Sequence, residues 1–254
     1  MIVEWINPLG TTWGVWWITV LCAFLVGVSK SGLKGTAMVA IPLLAYSYGG
    51  KASVGLLLPF LIMGDVMALM FYHKSGKIQH IIRLFPWAII GIVVAVFVGN
   101  EISDRQFINT IAIAILVCWV LIMWNEMKHT KVNLTHHSVF RSALGLSGGF
   151  ATMMGNAAGP IFNLYLLSMR LPKESYIGTG AWFYVMLNIF KVPFHIVSWQ
   201  TISWRTLQLN LVLLPMLVIG AFLGRYLVRF IPEREYRFFI FAVILLSAIL
   251  LFFK

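Results

Sequence analysis

GVSKSGLKG, residues 27–35, places Lys30 and Lys34 inside an otherwise apolar stretch that runs from Trp13 to Tyr48. Around it lies a chain of 254 residues, 60% hydrophobic and 11% charged, with a mean hydropathy of +0.90. The apolar residues are gathered into runs instead of being spread periodically, which is the pattern of an integral membrane protein. The net charge of +11 does not point to nucleic acid, because most Lys and Arg sit in short links between runs, where they set orientation. Cys22 and Cys118 both fall inside apolar runs and read as small buried hydrophobes, neither a disulfide nor a metal pair. The opening MIVEWINPLG lacks a basic leader and a small-residue cleavage site, so no cleaved signal peptide is expected.

The runs fall into two matching sets. The first comprises Trp13–Tyr48, Ala52–Tyr72, Leu84–Asn100 and Phe107–Trp124; the second comprises Val139–Ser168, Ser175–Val197, Leu207–Gly224 and Phe238–Phe253, with a polar linker at 126–137. LFPWAIIG (84–91) matches LLPMLVIG (213–220) at an offset of 129, as ISDRQF (102–107) matches IPEREY (231–236). Gly55 and Asp65 match Gly178 and Asn188 at 123, and Gly27, Ser29 and Pro42 match Gly145, Ser147 and Pro160 at 118. A repeat of this kind predicts two homologous halves, residues 1–125 and 138–254.

Basic residues indicate how the halves are related. If Trp13–Tyr48 crosses once, eight Lys and Arg fall on each side; if it enters and returns, twelve fall on one side and only Lys51, Arg105, Arg205 and Lys254 on the other. The positive-inside rule selects the second arrangement, with both termini outside the cytoplasm and the halves inverted. The arms Trp13–Val28 and Thr36–Tyr48 would reach only about 20–24 Å, at about 1.5 Å per residue, against a hydrocarbon core of about 30 Å. The expected fold is therefore all-α and polytopic: two inverted halves, each a re-entrant hairpin (13–48, 139–168) followed by three spans. In the competing arrangement both arms cross and the lysines lie in a cytoplasmic loop.

A lysine at mid-bilayer persists only beside water, a counter-ion or a ligand. With the glycines of the tip and the amides of a helix start, Lys30, Ser31, Gly32, Lys34 and Gly35 make a candidate anion site. Gly148, Thr152, Gly155 and Asn156 would face them from the other hairpin with neutral donors. Within the long spans, Asp65 is a candidate coupling carboxylate. Asn188 shares a helix face with Lys191 and His195; the first two are candidate substrate ligands and His195 a second coupling group. Other roles stay open at this point: Asp65 can hold helices together through a lysine, Asn188 can join two helices, and His195 can be interfacial.

GVSKSGLKGTAMVAIPLLA (27–45) and its counterpart GLSGGFATMMGNAAGPIFNLY (145–165), at the heads of two four-segment halves, resemble the TauE/SafE sulfite exporter family of membrane anion permeases. The resemblance implies a bacterial inner-membrane carrier for sulfite or a small organosulfonate, with neither metal nor cofactor. The expected partners are that anion, the bilayer and a coupling proton; a homodimer is left open. Two other functions compete. GLSG (145–148) also resembles the motif of rhomboid intramembrane proteases, with Ser147 as nucleophile and His195 as base; the other is an uncoupled anion channel.

Overall fold

The computed structural model describes residues 6–31, 36–127, 138–169 and 171–227, and these are helical with no strand among them. The order is α1 (Trp13–Ser31), α2 (Ala37–Tyr48), α3 (Gly50–Tyr72), a 3₁₀ turn (His73–Ser75), α4 (Gln79–Ile82), α5 (Phe85–Glu101), α6 (Asp104–Met127), α7 (Ser138–Gly155), α8 (Gly159–Ser168), α9 (Lys173–Pro193) with a π-helical turn (Phe194–Ser198), and α10 (Trp204–Leu227). Four of these regions are long and apolar enough to cross a membrane: Trp13–Ser31, Gly50–Met70, Ser175–Ser198 and Trp204–Tyr226. Ala37–Tyr48 and Phe85–Glu101 are apolar but shorter. The expected third span of the second half, 238–253, lies outside the described residues, as do Gly32, Lys34 and Gly35.

The first arm departs from expectation. It continues to Ser31 as 19 residues of helix, about 28 Å at about 1.5 Å per residue, so Lys30 sits in the last turn of α1 and not in a loop tip. The partial negative charge at a helix C-terminus favours an ammonium there. The second arm, α2, has only 12 residues. In the other hairpin, α7 has 18 residues and α8 has 10, so each pairs a long arm with a short one.

Two helix pairs are packed backbone to backbone. On α1, Gly27 lies against the Leu217 carbonyl of α10, while Gly220 and Gly224 of α10 lie against the carbonyls of Phe24 and Val28. On α7, Gly149 lies against the Ala88 carbonyl of α5, and Gly91 of α5 lies against the Leu146 carbonyl. No Cβ fits at these positions. In lipid there is no hydrophobic drive between helices, so close approach over small residues carries the association. Each seam joins the long arm of one hairpin to a later span of the other set of runs, and α3 packs on α9 between them. The spacing of these contacts revises one match. Since Leu217 and Ala88 are 129 apart, Gly27 corresponds in its contacts to Gly149, an offset of 122 and not 118. The starts of α2 and α8 also differ by 122, and those of α3 and α9 by 123.

Large apolar side chains face outward along the bundle, among them Phe97 on α5, and Leu211, Ile219 and Phe222 on α10, while Asp65, Asn188, Lys191, His195 and Asn210 are buried. That inside-out polarity suits a lipid environment. At the start of α3, where Gly49 has φ of 90°, the Asp104 carboxylate accepts the N–H groups of Gly50 at 3.0 Å and Lys51 at 3.3 Å. This cap ties α6 to α3.

Gly149→Val and Gly220→Val should each destabilise by at least about 1–3 kcal/mol, the usual cost of overpacking. Gly14→Ala, where a methyl meets open space, should leave the melting temperature in detergent unchanged. Equal melting of all three proteins would show that the seams do not hold the bundle.

Candidate functional site

The centre of the bundle is where α1, α3, α7 and α9 bring their polar side chains together. The stem of Lys30 crosses α3 at Gly64, where a Cβ would overlap it. Its ammonium donates to Asp65 Oδ1 and lies 5.0 Å from the centre of the Tyr184 ring. The other oxygen of Asp65 accepts Asn188 Nδ2 at 2.7 Å. Asp65 is 1% exposed, whereas the Lys30 side chain retains 17% of its surface. A buried carboxylate demands such partners, because an unpaired charge in a dry interior costs several kcal/mol.

Lys191 is built differently. With no exposed surface, its ammonium donates to the Thr152 carbonyl at 3.1 Å, to Thr152 Oγ1 at 3.1 Å and to Asn156 Oδ1 at 2.6 Å. An ammonium has three N–H bonds, and all three are used. Asn156, with φ of 53°, occupies the left-handed region that asparagine tolerates better than most residues. Its Nδ2 donates to the Val54 carbonyl of α3 at 3.1 Å. Lys191 and Asn156 thus fasten the end of α7 to α9 and α3.

The expected ligands therefore separate. Lys30, Asp65, Asn188, Lys191, Thr152 and Asn156 come together, but Asp65 holds the hairpin lysine and not Lys191, which has no donor left for an anion. Ser31 is engaged elsewhere: its hydroxyl donates to the Gly27 carbonyl at 3.0 Å, in the α1–α10 seam against Gly224. Gly148 makes room for the Phe162 ring and Gly155 for Ile111, so both are packing positions. His195 is buried within the protein; its Nδ1 pairs with Thr201 Oγ1 at 2.8 Å and its ring stands edge-on to Trp199. The Ser147 hydroxyl donates to the Ala143 carbonyl at 2.7 Å, so Ser147 and His195 are each engaged with other partners.

Three participants escaped the sequence reading. Tyr184, whose hydroxyl donates to the Gly159 carbonyl at 3.3 Å, precedes Asn188 by four residues and Lys191 by seven, a helical stripe visible in the sequence. Gly64, beside Asp65, has no signal beyond its small size. Gly159 opens α8, the first intrahelical bond of which runs from Phe162 N to the Ala158 carbonyl at 3.0 Å. The amides of Ala158 and Gly159 lie ahead of that bond, and a Cβ on Gly159 would meet nothing within 4 Å.

In comparison with known proteins, the family model described as sulfite exporter TauE/SafE matches residues 19–251. Searches of the curated proteins and of the solved structures returned no match.

If Lys191 is a fastening, Lys191→Met should strand Thr152 and Asn156 and lower stability by about 1.5–3 kcal/mol, the usual worth of hydrogen bonds to a charged group. For a chain of this size that is roughly 3–12 °C of melting temperature. An unshifted melt would remove the fastening role.

Proposed function

Because the chain belongs to the TauE/SafE sulfite exporter family, a family of membrane transporters, we propose that it exports sulfite or a small organosulfonate by an exchange of partners at Lys30. The observation that carries this reading is the asymmetry of the two central lysines. Lys191 has every N–H committed, while Lys30 keeps exposed surface and, among the described residues, a single carboxylate partner. An oxyanion arriving at the centre competes with Asp65 for Lys30. The start of α8 supports the same location: its leading amides carry the positive end of a helix dipole, Gly159 leaves space, and Tyr184 links this turn to Lys30. Lys34, Gly32 and Gly35, expected at the site from the sequence, lie outside the described residues.

Asp65 supplies the coupling. Once the anion takes Lys30, the carboxylate is left buried with Asn188 as its hydrogen-bond partner among the described residues, and a buried charge without a counter-charge is costly. Binding of the anion is then linked to uptake of a proton at Asp65 Oδ1, and return of Lys30 to Asp65 releases it. The alternating contact pattern supports two inverted halves. At offsets of 122 and 123, Lys30 stands opposite Thr152, Lys34 opposite Asn156, Asp65 opposite Asn188 and Ala68 opposite Lys191. At every pair one half carries a charge and the other a neutral residue, so they meet at one site with one movable lysine. The carrier is placed in the cell inner membrane with both termini on the outer side, following its basic residues.

Lys30→Ala should weaken binding of sulfite or a sulfonate at least about tenfold, or about 1.4 kcal/mol, in a folded protein that still melts cooperatively. Binding unchanged in that variant would refute the site. Asp65→Asn should bind the anion at least as tightly, since Lys30 loses its charged competitor, and should carry it with no dependence on pH in reconstituted vesicles. Wild-type pH dependence in that variant would make Asp65 structural and shift coupling to His195.

A further inference from the structure

The α5–α7 seam begins at two cations. Its contacts advance together along both helices: Gly145 lies against the Leu84 carbonyl, and Gly149, one turn on, against that of Ala88. The two helices are therefore parallel and start at the same end of the bundle. One turn ahead of Gly145 is Arg141, near the start of α7, and immediately ahead of Leu84 is the exposed Arg83. Tyr165 of α8 marks the same place, since the charges of Arg141 and Arg83 both act on its hydroxyl.

The described carboxylates lie elsewhere. Asp65 is paired with Lys30 at the centre, Glu101 closes the far end of the 17-residue α5, about 25 Å away at about 1.5 Å per residue, and Asp104 caps α3. Both arginines also stand at helix starts, where the dipole disfavours a cation. Below them runs an apolar face. The backbone keeps right-handed helical angles through Arg83 and Leu84, so Arg83 heads the outward stripe of α5. Trp87, Ile90, Val94 and Phe97 follow it along that stripe at helical spacing, and all four are exposed.

We propose that Arg83 and Arg141 hold the phosphate of one anionic phospholipid, whose acyl chains lie along the Trp87–Phe97 face of α5. Guanidinium forks match phosphate oxygens and bind them in pairs, and a tryptophan one turn below suits the level of the headgroups. The stripe is about 21 Å long at about 1.5 Å per residue, more than the depth of one leaflet in a core of about 30 Å. A zwitterionic lipid also offers a phosphate, but it brings an ammonium that two arginines repel. A free phosphate ion would leave the apolar face unused. The bound headgroup offsets the like charges where α5 and α7 begin, and so strengthens their seam. The proposal rests on the chain being embedded in a bilayer and is independent of the exchange of partners at Lys30.

The test is thermal melting of the full chain, delipidated in a mild detergent, with added phosphatidylglycerol, phosphatidylcholine or inorganic phosphate. At about a hundredfold excess over its dissociation constant, phosphatidylglycerol should raise the melting temperature by about 5–10 °C, and the other two should not. The double variant Arg83→Gln with Arg141→Gln should lose that increment and still melt as the wild type does in phosphatidylcholine. Lys74→Gln with Lys77→Gln should keep it. A full increment in the arginine variant, or an equal loss in the lysine variant, would mean diffuse surface charge and overturn the site. Stabilisation by phosphate alone would assign the arginines to a soluble anion and overturn it too. If the arginine variant fails to fold, native mass spectrometry of the wild type decides: one phosphatidylglycerol retained in preference to phosphatidylcholine is expected, and no headgroup preference would overturn the proposal.

Discussion

A charged ammonium inside a lipid-embedded bundle has to find a counter-charge or water, and the Lys30–Asp65 pair answers that demand. The rest of the centre is arranged around it. α1 extends past its apolar run so that Lys30 projects from the last turn, where the helix dipole favours it. Gly64 lets the lysine stem lie on α3, and Asn188 of α9 occupies the second carboxylate oxygen. Weakening any of these leaves a buried charge short of partners, which is costlier than losing an exposed ion pair.

The two lysines are held by opposite means, and the proposed exchange of partners rests on that difference. Lys191 is held by three neutral acceptors from one helix end and its following residue, so it behaves as a structural fastening with a charge. Among the described residues Lys30 is held by one charged acceptor, and it remains partly exposed. A small anion can displace a single carboxylate; it cannot easily displace three acceptors in a fixed geometry. The glycine seams contribute by bringing backbones into contact between α1 and α10 and between α5 and α7, which leaves the polar centre enclosed and the large apolar side chains outward.

Much of this was legible beforehand because membrane chains segregate residues coarsely. Apolar runs are long, polar residues within them are few, and so Lys30, Asp65, Asn188, Lys191 and His195 could each be picked out by their cost. The sequence matches that suggest a repeat are legible too, but their register across the first helix pair is not. Gly145 and Gly149 are four apart and lie on the same helix face, so either matches Gly27 by pattern, and it is Gly149 that lies against the Ala88 carbonyl. Tyr184 and Asn210 were passed over because an aromatic at an intermediate depth and a lone amide in an apolar run carry no mark of their partners.

Composition and hydropathy alone established a helical membrane protein, and GVSKSGLKGTAMVAIPLLA (27–45) with its counterpart at 145–165 carries a resemblance to the TauE/SafE family. They also established which polar residues lie inside. They could not say which of those residues meet. Lys30 reaches Asp65 across 35 positions, Lys191 reaches Thr152 across 39, and Asn210 reaches Leu56 across 154. Such pairings depend on which helix faces lie together, and that is decided by backbone contact at a few glycines far from the charges themselves. Period and composition encode the burial of a residue, which is a local property of its own helix; the acceptor that a buried ammonium finds is a property of the neighbouring helix, and only packing selects it.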